Sequence, residues 1–101
     1  MPARATYRLT PAAESDLTDI WRYGAQTWSA DQADRYLDIL ITGFELITDQ
    51  PEISRLRAEF SPPLRIFPTG SHLVVYTADN QGVTVLRVLH NRRDLLAALD
   101  S

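Results

Sequence analysis

Neither cysteine nor lysine occurs in the 101 residues. The first absence removes disulfides, thiol catalysis and cysteine metal sites together, and it makes a reducing cytoplasm the expected compartment. The second makes all ten basic residues arginine, a bias that genome composition explains as readily as a need for forked, bidentate donors. Glycine is scarce, at four residues, and no Gly-rich phosphate loop, Gly-x-Ser-x-Gly elbow or metal-ligand spacing is present. Nucleotide, hydrolase and zinc readings therefore lack support, and no cofactor or metal is expected. No apolar run approaches the length of a membrane span, and the opening Met-Pro-Ala-Arg-Ala-Thr has no apolar signal segment. Export and membrane insertion are not expected.

What is present is the composition of one folded domain over residues 1–101. Hydrophobic residues make up 45% and charged residues 23%, with no low-complexity tract. A chain of this size buries roughly two thirds of its unfolded surface, enough for a single core. The net charge of −3 conceals two halves of opposite sign. Residues 11–50 carry eight acids against Arg22 and Arg35, and residues 51–93 carry six arginines against Glu52, Glu59 and Asp79. With a pI near 5.2 and an acidic first half, sequence-specific binding to duplex DNA is not expected.

Ala5 to Leu9 reads as a first strand. Thr10 can cap a helix that Pro11 opens, with Glu14 and Asp16 at the positive end of its dipole. Ala13, Leu17, Ile20, Trp21, Gly24 and Trp28 form one apolar stripe along about four turns. Ser29-Ala30-Asp31-Gln32 has the form of a capping box, so a second helix begins at once, and the two helices form an antiparallel hairpin. Its stripe is Ala33, Tyr36, Leu37, Leu40, Ile41, Phe44 and Ile47, and Pro51 ends it. The hairpin's acids fall largely off these stripes, on a solvated face or paired with arginines of the second half. Pro51 to Pro63 shows no period and reads as a linking loop. Leu64–Pro68, His72–Ala78 and Val83–Leu89 are strand-like runs separated by turn formers, an antiparallel meander. Asn91 then caps a short last helix. The expected fold is α+β, in the order β-α-α-β-β-β-α, with the helical hairpin packed on a mainly antiparallel sheet.

The stretch from Val83 to Asp94 draws together a strand, a cationic cluster and a helix start. Val83, Val85 and Leu89 are expected on one face of the strand and Thr84, Leu86 and Val88 on the other, both apolar enough for a central strand. Arg87 interrupts that run. Arg92 and Arg93 fall in the first turn of the last helix, where each opposes the dipole at about 0.3 to 1 kcal/mol. Such a local conflict points to partner or target binding, with an intramolecular ion pair as the plain alternative. A histidine at a strand end such as His90 is commonly a satisfied structural residue, and general acid or base work is the other reading. Cleavage of a phosphodiester would need a second proton-transfer group and cations, for which Arg65, Arg87 and Tyr76 are the candidates. His72, near a glycine turn, reads as a surface residue.

Tyr7-Arg8-Leu9-Thr10-Pro11-Ala12-Ala13-Glu14-x-Asp16-Leu17-x-x-Ile20-Trp21, then Gln32-Ala33-x-x-Tyr36-Leu37, resembles the ParE branch of the RelE/ParE toxin superfamily. Leu64-Arg65-x-Phe67-Pro68, His72-x-x-x-Tyr76 and Val85-x-Arg87-Val88-Leu89-His90-x-Arg92-Arg93-Asp94 resemble the sheet and terminal motif of that branch. The likeness runs from Tyr7 to Leu99. It implies the toxin of a type II toxin-antitoxin module, a non-enzymatic inhibitor of DNA gyrase held inactive by a ParD-like antitoxin with an extended, acidic tail. Arg65, Arg87, His90, Arg92 and Arg93 are the residues at which antitoxin or target binding is then expected. The RelE branch instead cleaves messenger RNA on the ribosome, leaning on lysines and arginines. The absence of lysine argues against that activity here, while His90 argues for it. A degenerate, non-toxic binding member is a third possibility. One departure stands out: Ser54-Arg55-Leu56-Arg57 occupies the place where the ParE branch usually reads Gly-x-x-Arg.

Overall fold

The computed structural model describes residues 6–90 together with Asp94 and Ala97. In order these form β1 (Tyr7–Leu9), α1 (Pro11–Thr27), α2 (Ala30–Asp49), a 3-10 turn (Pro51–Ile53), β2 (Arg65–Thr69), β3 (His72–Asp79) and β4 (Gly82–Leu89). The expected α+β succession is thus present through the third meander strand. The last helix expected after Asn91 lies outside the described residues, apart from Asp94 and Ala97, whose backbone is helical. The strands run β1-β4-β3-β2 across the sheet. β2, β3 and β4 are antiparallel neighbours, and β1 lies parallel to β4 with Tyr7 opposite Val83 and Leu9 opposite Val85.

Capping residues set both helix starts. The Thr10 hydroxyl accepts the Ala13 amide at 3.1 Å and donates to the Leu86 carbonyl at 2.7 Å. Its own amide donates to the Val85 carbonyl at 3.1 Å, so one residue ends β1, starts α1 and ties both to β4. Ser29 accepts the Gln32 amide at 3.0 Å and begins α2. The helices pack tightly at Gly24, where a Cβ would stand 3.2 Å from that of Ala33.

The main core lies between the hairpin and the sheet: Ala13, Leu40, Phe44 and Ile47 meet Val74, Tyr76, Val83, Val85 and Val88. Burying each larger side chain of this set contributes about 1.5–3 kcal/mol. A smaller cluster of Leu64, Val75 and Leu89, with Phe60, Ile66, Leu73 and Leu86 against it, covers the opposite sheet face.

Three expectations change here. Val88, and not Leu89, shares the hairpin face with Val83 and Val85, because the register shifts: Tyr76 stands opposite Val85 and Val75 opposite Arg87. Leu86 is the extra residue of a bulge, and beyond it the alternation is inverted. Trp28 leaves the apolar stripe because α1 ends at Thr27, and its side chain is 68% exposed in edge-to-face contact with Tyr23. Ile41 is also exposed, since it sits about 100° round the helix from Leu40, at the flank of the face that meets the sheet.

The loop after α2 is held by polar bonds. The Tyr76 hydroxyl donates to the Pro51 carbonyl at 2.7 Å, Arg65 donates to the Ser54 carbonyl, and Arg57 forms an isolated bridge with Leu64.

Candidate functional site

β1 stops pairing with β4 at Val85, so the last residues of β4 have no strand on that side. Side chains of α1 take the vacant edge. The Asp16 carboxylate accepts the Val88 amide at 2.9 Å and receives Arg87 with both prongs, Nε at 2.8 Å and Nη2 at 3.0 Å. Donating hydrogen bonds to Asp16 holds the Arg87 guanidinium protonated more firmly than usual, against partial burial and aided by the same carboxylate's charge. The helix thus carries an acid that pairs with an arginine 71 residues away.

Beside this pair the start of β3 meets α2. The Tyr36 hydroxyl lies 2.5 Å from His72 Nδ1, and the same oxygen accepts the Ser71 amide at 2.8 Å. When neutral His72 carries its proton on Nε2, Nδ1 accepts the phenolic hydrogen while the phenolic oxygen takes the Ser71 amide; with the proton on Nδ1 the Tyr36–His72 bond runs the other way. The His72 ring is 5.4 Å from that of Tyr36 and 5.2 Å from that of His90. Burial, and then the neighbouring His90, push the His72 pKa below the ordinary histidine value, while Asp16 pulls it upward. These groups border an open cleft of about 360 Å³ whose polar wall is Asp16, Asp19, His72, Arg87, His90 and Asp94. The cleft offers two adjacent imidazoles with tilted rings, one exposed and one half-buried, next to a guanidinium fixed in orientation.

Arg65 and Tyr76 stand opposite each other across β2 and β3. Tyr76 is four residues along β3 from His72, a separation of about 13 Å at strand rise. Both fasten the loop at Pro51 and Ser54. The four residues singled out for phosphodiester chemistry are therefore divided, with Arg87 and His90 at the cleft and Arg65 and Tyr76 at the loop. Arg92 and Arg93 lie outside the described residues. Reading the sequence missed Asp16, Tyr36 and His72 as members of the cluster. Asp16 looked like a helix-dipole acid and Tyr36 like core, and neither spacing carries a long-range partner. Among the described residues no group of three His, Asp or Glu could hold a metal ion, and no helix is long and apolar enough to cross a membrane.

A second concavity, about 510 Å³, runs between α2 and β2, lined by Ile39, Leu46, Phe67 and Pro68 with Asp38 at its rim. Ile39 there is 49% exposed.

Comparison with known proteins agrees over most of the chain. Residues 7–95 match the family described as "ParE toxin of type II toxin-antitoxin system, parDE". Toxin ParE1 of Mycobacterium tuberculosis H37Rv is 37% identical over 90 residues, covering 88% of this chain and 92% of the relative. Toxin ParE1 of Caulobacter vibrioides is 34% identical over 93 residues, covering 92% and 96%. A solved structure titled "Chromosomal ParDE TA system from P. aeruginosa" superimposes with a TM-score of 0.73 over 86% of this chain and 96% of that one, at 12% identity, a likeness of fold. The match across both helices and all four strands means that this chain belongs to the ParE toxin family of type II toxin-antitoxin systems.

Proposed function

We propose that the chain inhibits DNA gyrase without itself cutting nucleic acid, and that a ParD-like antitoxin with an acidic tail neutralises it. The observation that carries this reading is the ParE family match over residues 7–95. The division of Arg65 and Tyr76 from Arg87 and His90 supports it, because phosphodiester cleavage needs its proton-transfer groups and cations around one phosphate. Purified protein should block supercoiling by gyrase or trap cleaved DNA. Full supercoiling in its presence, with the host's own gyrase included, overturns the proposal.

The antitoxin reading draws on the solved ParDE system that shares the fold. Apolar side chains of the partner have a seat in the groove between α2 and β2. Its acids would meet Arg65 and Arg87 beside the Ser54 carbonyl and the Asp16 carboxylate that already engage them, and forked hydrogen bonds would then be shared.

A second reading, ribosome-dependent cleavage of messenger RNA, is favoured by one observation, the pair of imidazoles 5.2 Å apart at the cleft. Primer extension on translated messages would then reveal new ends that His90→Ala abolishes. Induced expression with no growth defect would instead favour a non-toxic binding member.

A further inference from the structure

Three elements meet at the His72 ring: α2 through Tyr36, the start of β3, and the exit of β4 through His90. We propose that Tyr36, His72 and His90 form an acid-opened latch joining α2, the start of β3 and the exit of β4, closed while both imidazoles are neutral and opened when both are protonated. In the closed form, with the His72 proton on Nε2, Nδ1 accepts the Tyr36 hydroxyl, whose oxygen also holds the Ser71 amide. A proton on Nδ1 converts that acceptor into a donor, so the bond must reverse: the phenolic hydrogen turns away from the ring and the oxygen takes Nδ1–H on the lone pair that the Ser71 amide leaves open. A second proton on His90 sets like charges side by side on tilted rings, with 5.2 Å between ring centres.

Among the described residues, the charged and titratable groups around His72 are Asp16 and Asp19 from α1, Tyr36 from α2, Arg87 and His90 from β4 and its exit, and Asp94 beyond. Asp16, the acid that would best compensate a histidine cation, is engaged by Arg87 and the Val88 amide. Asp19 lies 3.8 Å from Arg22, with both side chains largely in water. Burial and His90 already outweigh the pull of Asp16 on the His72 proton. The latch therefore has to reverse its internal bond and gains a repulsion between the two rings when both are protonated.

NMR titration of the full chain, paired with amide hydrogen exchange, tests this. His72 should titrate below the ordinary histidine value, and His90→Gln should raise its midpoint by about half a unit, the effect of one charge some 5 Å away in a water-like dielectric. After correction for intrinsic rates, the amides of His72, Leu89 and His90 should lose about tenfold in protection between pH 7 and pH 5. His90→Gln, at an exposed position, and His72→Gln, whose amide oxygen can still accept from Tyr36, should each flatten that loss. A His72 midpoint unmoved by His90→Gln, or protection that falls equally in the variants, overturns the latch.

Discussion

Asp16 is the residue whose role depends most on distant chain. It supplies the acceptor for two guanidinium prongs and for a strand amide that no neighbouring strand could satisfy. Asp16→Asn should destabilise the fold by about 2 kcal/mol in urea titration, less than a fully buried pair because part of Arg87 faces water. Arg87→Lys should recover little, since an ammonium cannot reproduce the fork. Thr10→Ala should cost about 1–2 kcal/mol, because it removes a helix cap and a bond to the Leu86 carbonyl together, and Thr10→Ser should restore most of it. Half of the Thr10 role was legible in the sequence, where Thr-Pro before an apolar stripe signals a cap. The other half was not, because Leu86 is 76 residues away. His72 shows the same limit: its position beside a glycine turn suggests exposure, and only the tertiary approach of α2 brings Tyr36 over it.

At the level of elements, the period of apolar residues located both helices and all three strands of the meander to within a residue or two at each end. Periodicity could not locate the bulge at Leu86, since inserting one residue into a strand that is apolar on both faces leaves the composition of each face unchanged. It likewise placed Trp28 on a stripe that ends one residue too early. The hairpin depends on one close approach. Gly24→Ala should be near neutral, because gained helix propensity of about 1 kcal/mol offsets a contact at 3.2 Å, whereas Gly24→Leu should lower stability by about 1–3 kcal/mol in thermal melts by prising α1 from Ala33. The edge strand β2 carries its own safeguard. Pro68, opposite Leu73, has no amide to offer a further strand, and Arg57 already occupies Leu64, so little of this edge can template the addition of another chain.

For the molecule as a whole, acid should be destabilising in a way traceable to one imidazole. The folded pKa of His72 lies below its unfolded value of about 6.5. Between those values the unfolded chain binds a proton that the folded chain does not, so stability rises with pH and is lost as pH falls from about 6.5 through the folded value. The urea midpoint should therefore drop more between pH 7 and pH 5 in the wild type than in His72→Gln. Partner binding makes a separate prediction: Ile39→Asp should weaken capture of the antitoxin at least tenfold, about 1.4 kcal/mol, with an unchanged melting temperature, since Ile39 stands half in water at the groove. The strand order carries a consequence for how the chain comes into being. Among the described strands β4 is made last, and it is inserted between β1, the earliest of them, and β3. A nascent chain that has not yet released Gly82–Leu89 has no neighbour for β1, no carbonyl for Thr10 and no guanidinium for Asp16. Such sequence-distant pairings slow folding and leave early segments waiting. A fragment ending at Gln81 should accordingly show no cooperative melting transition, and a ribosome that stalls before β4 should release an inert product, which confines activity to chains translated past Leu89.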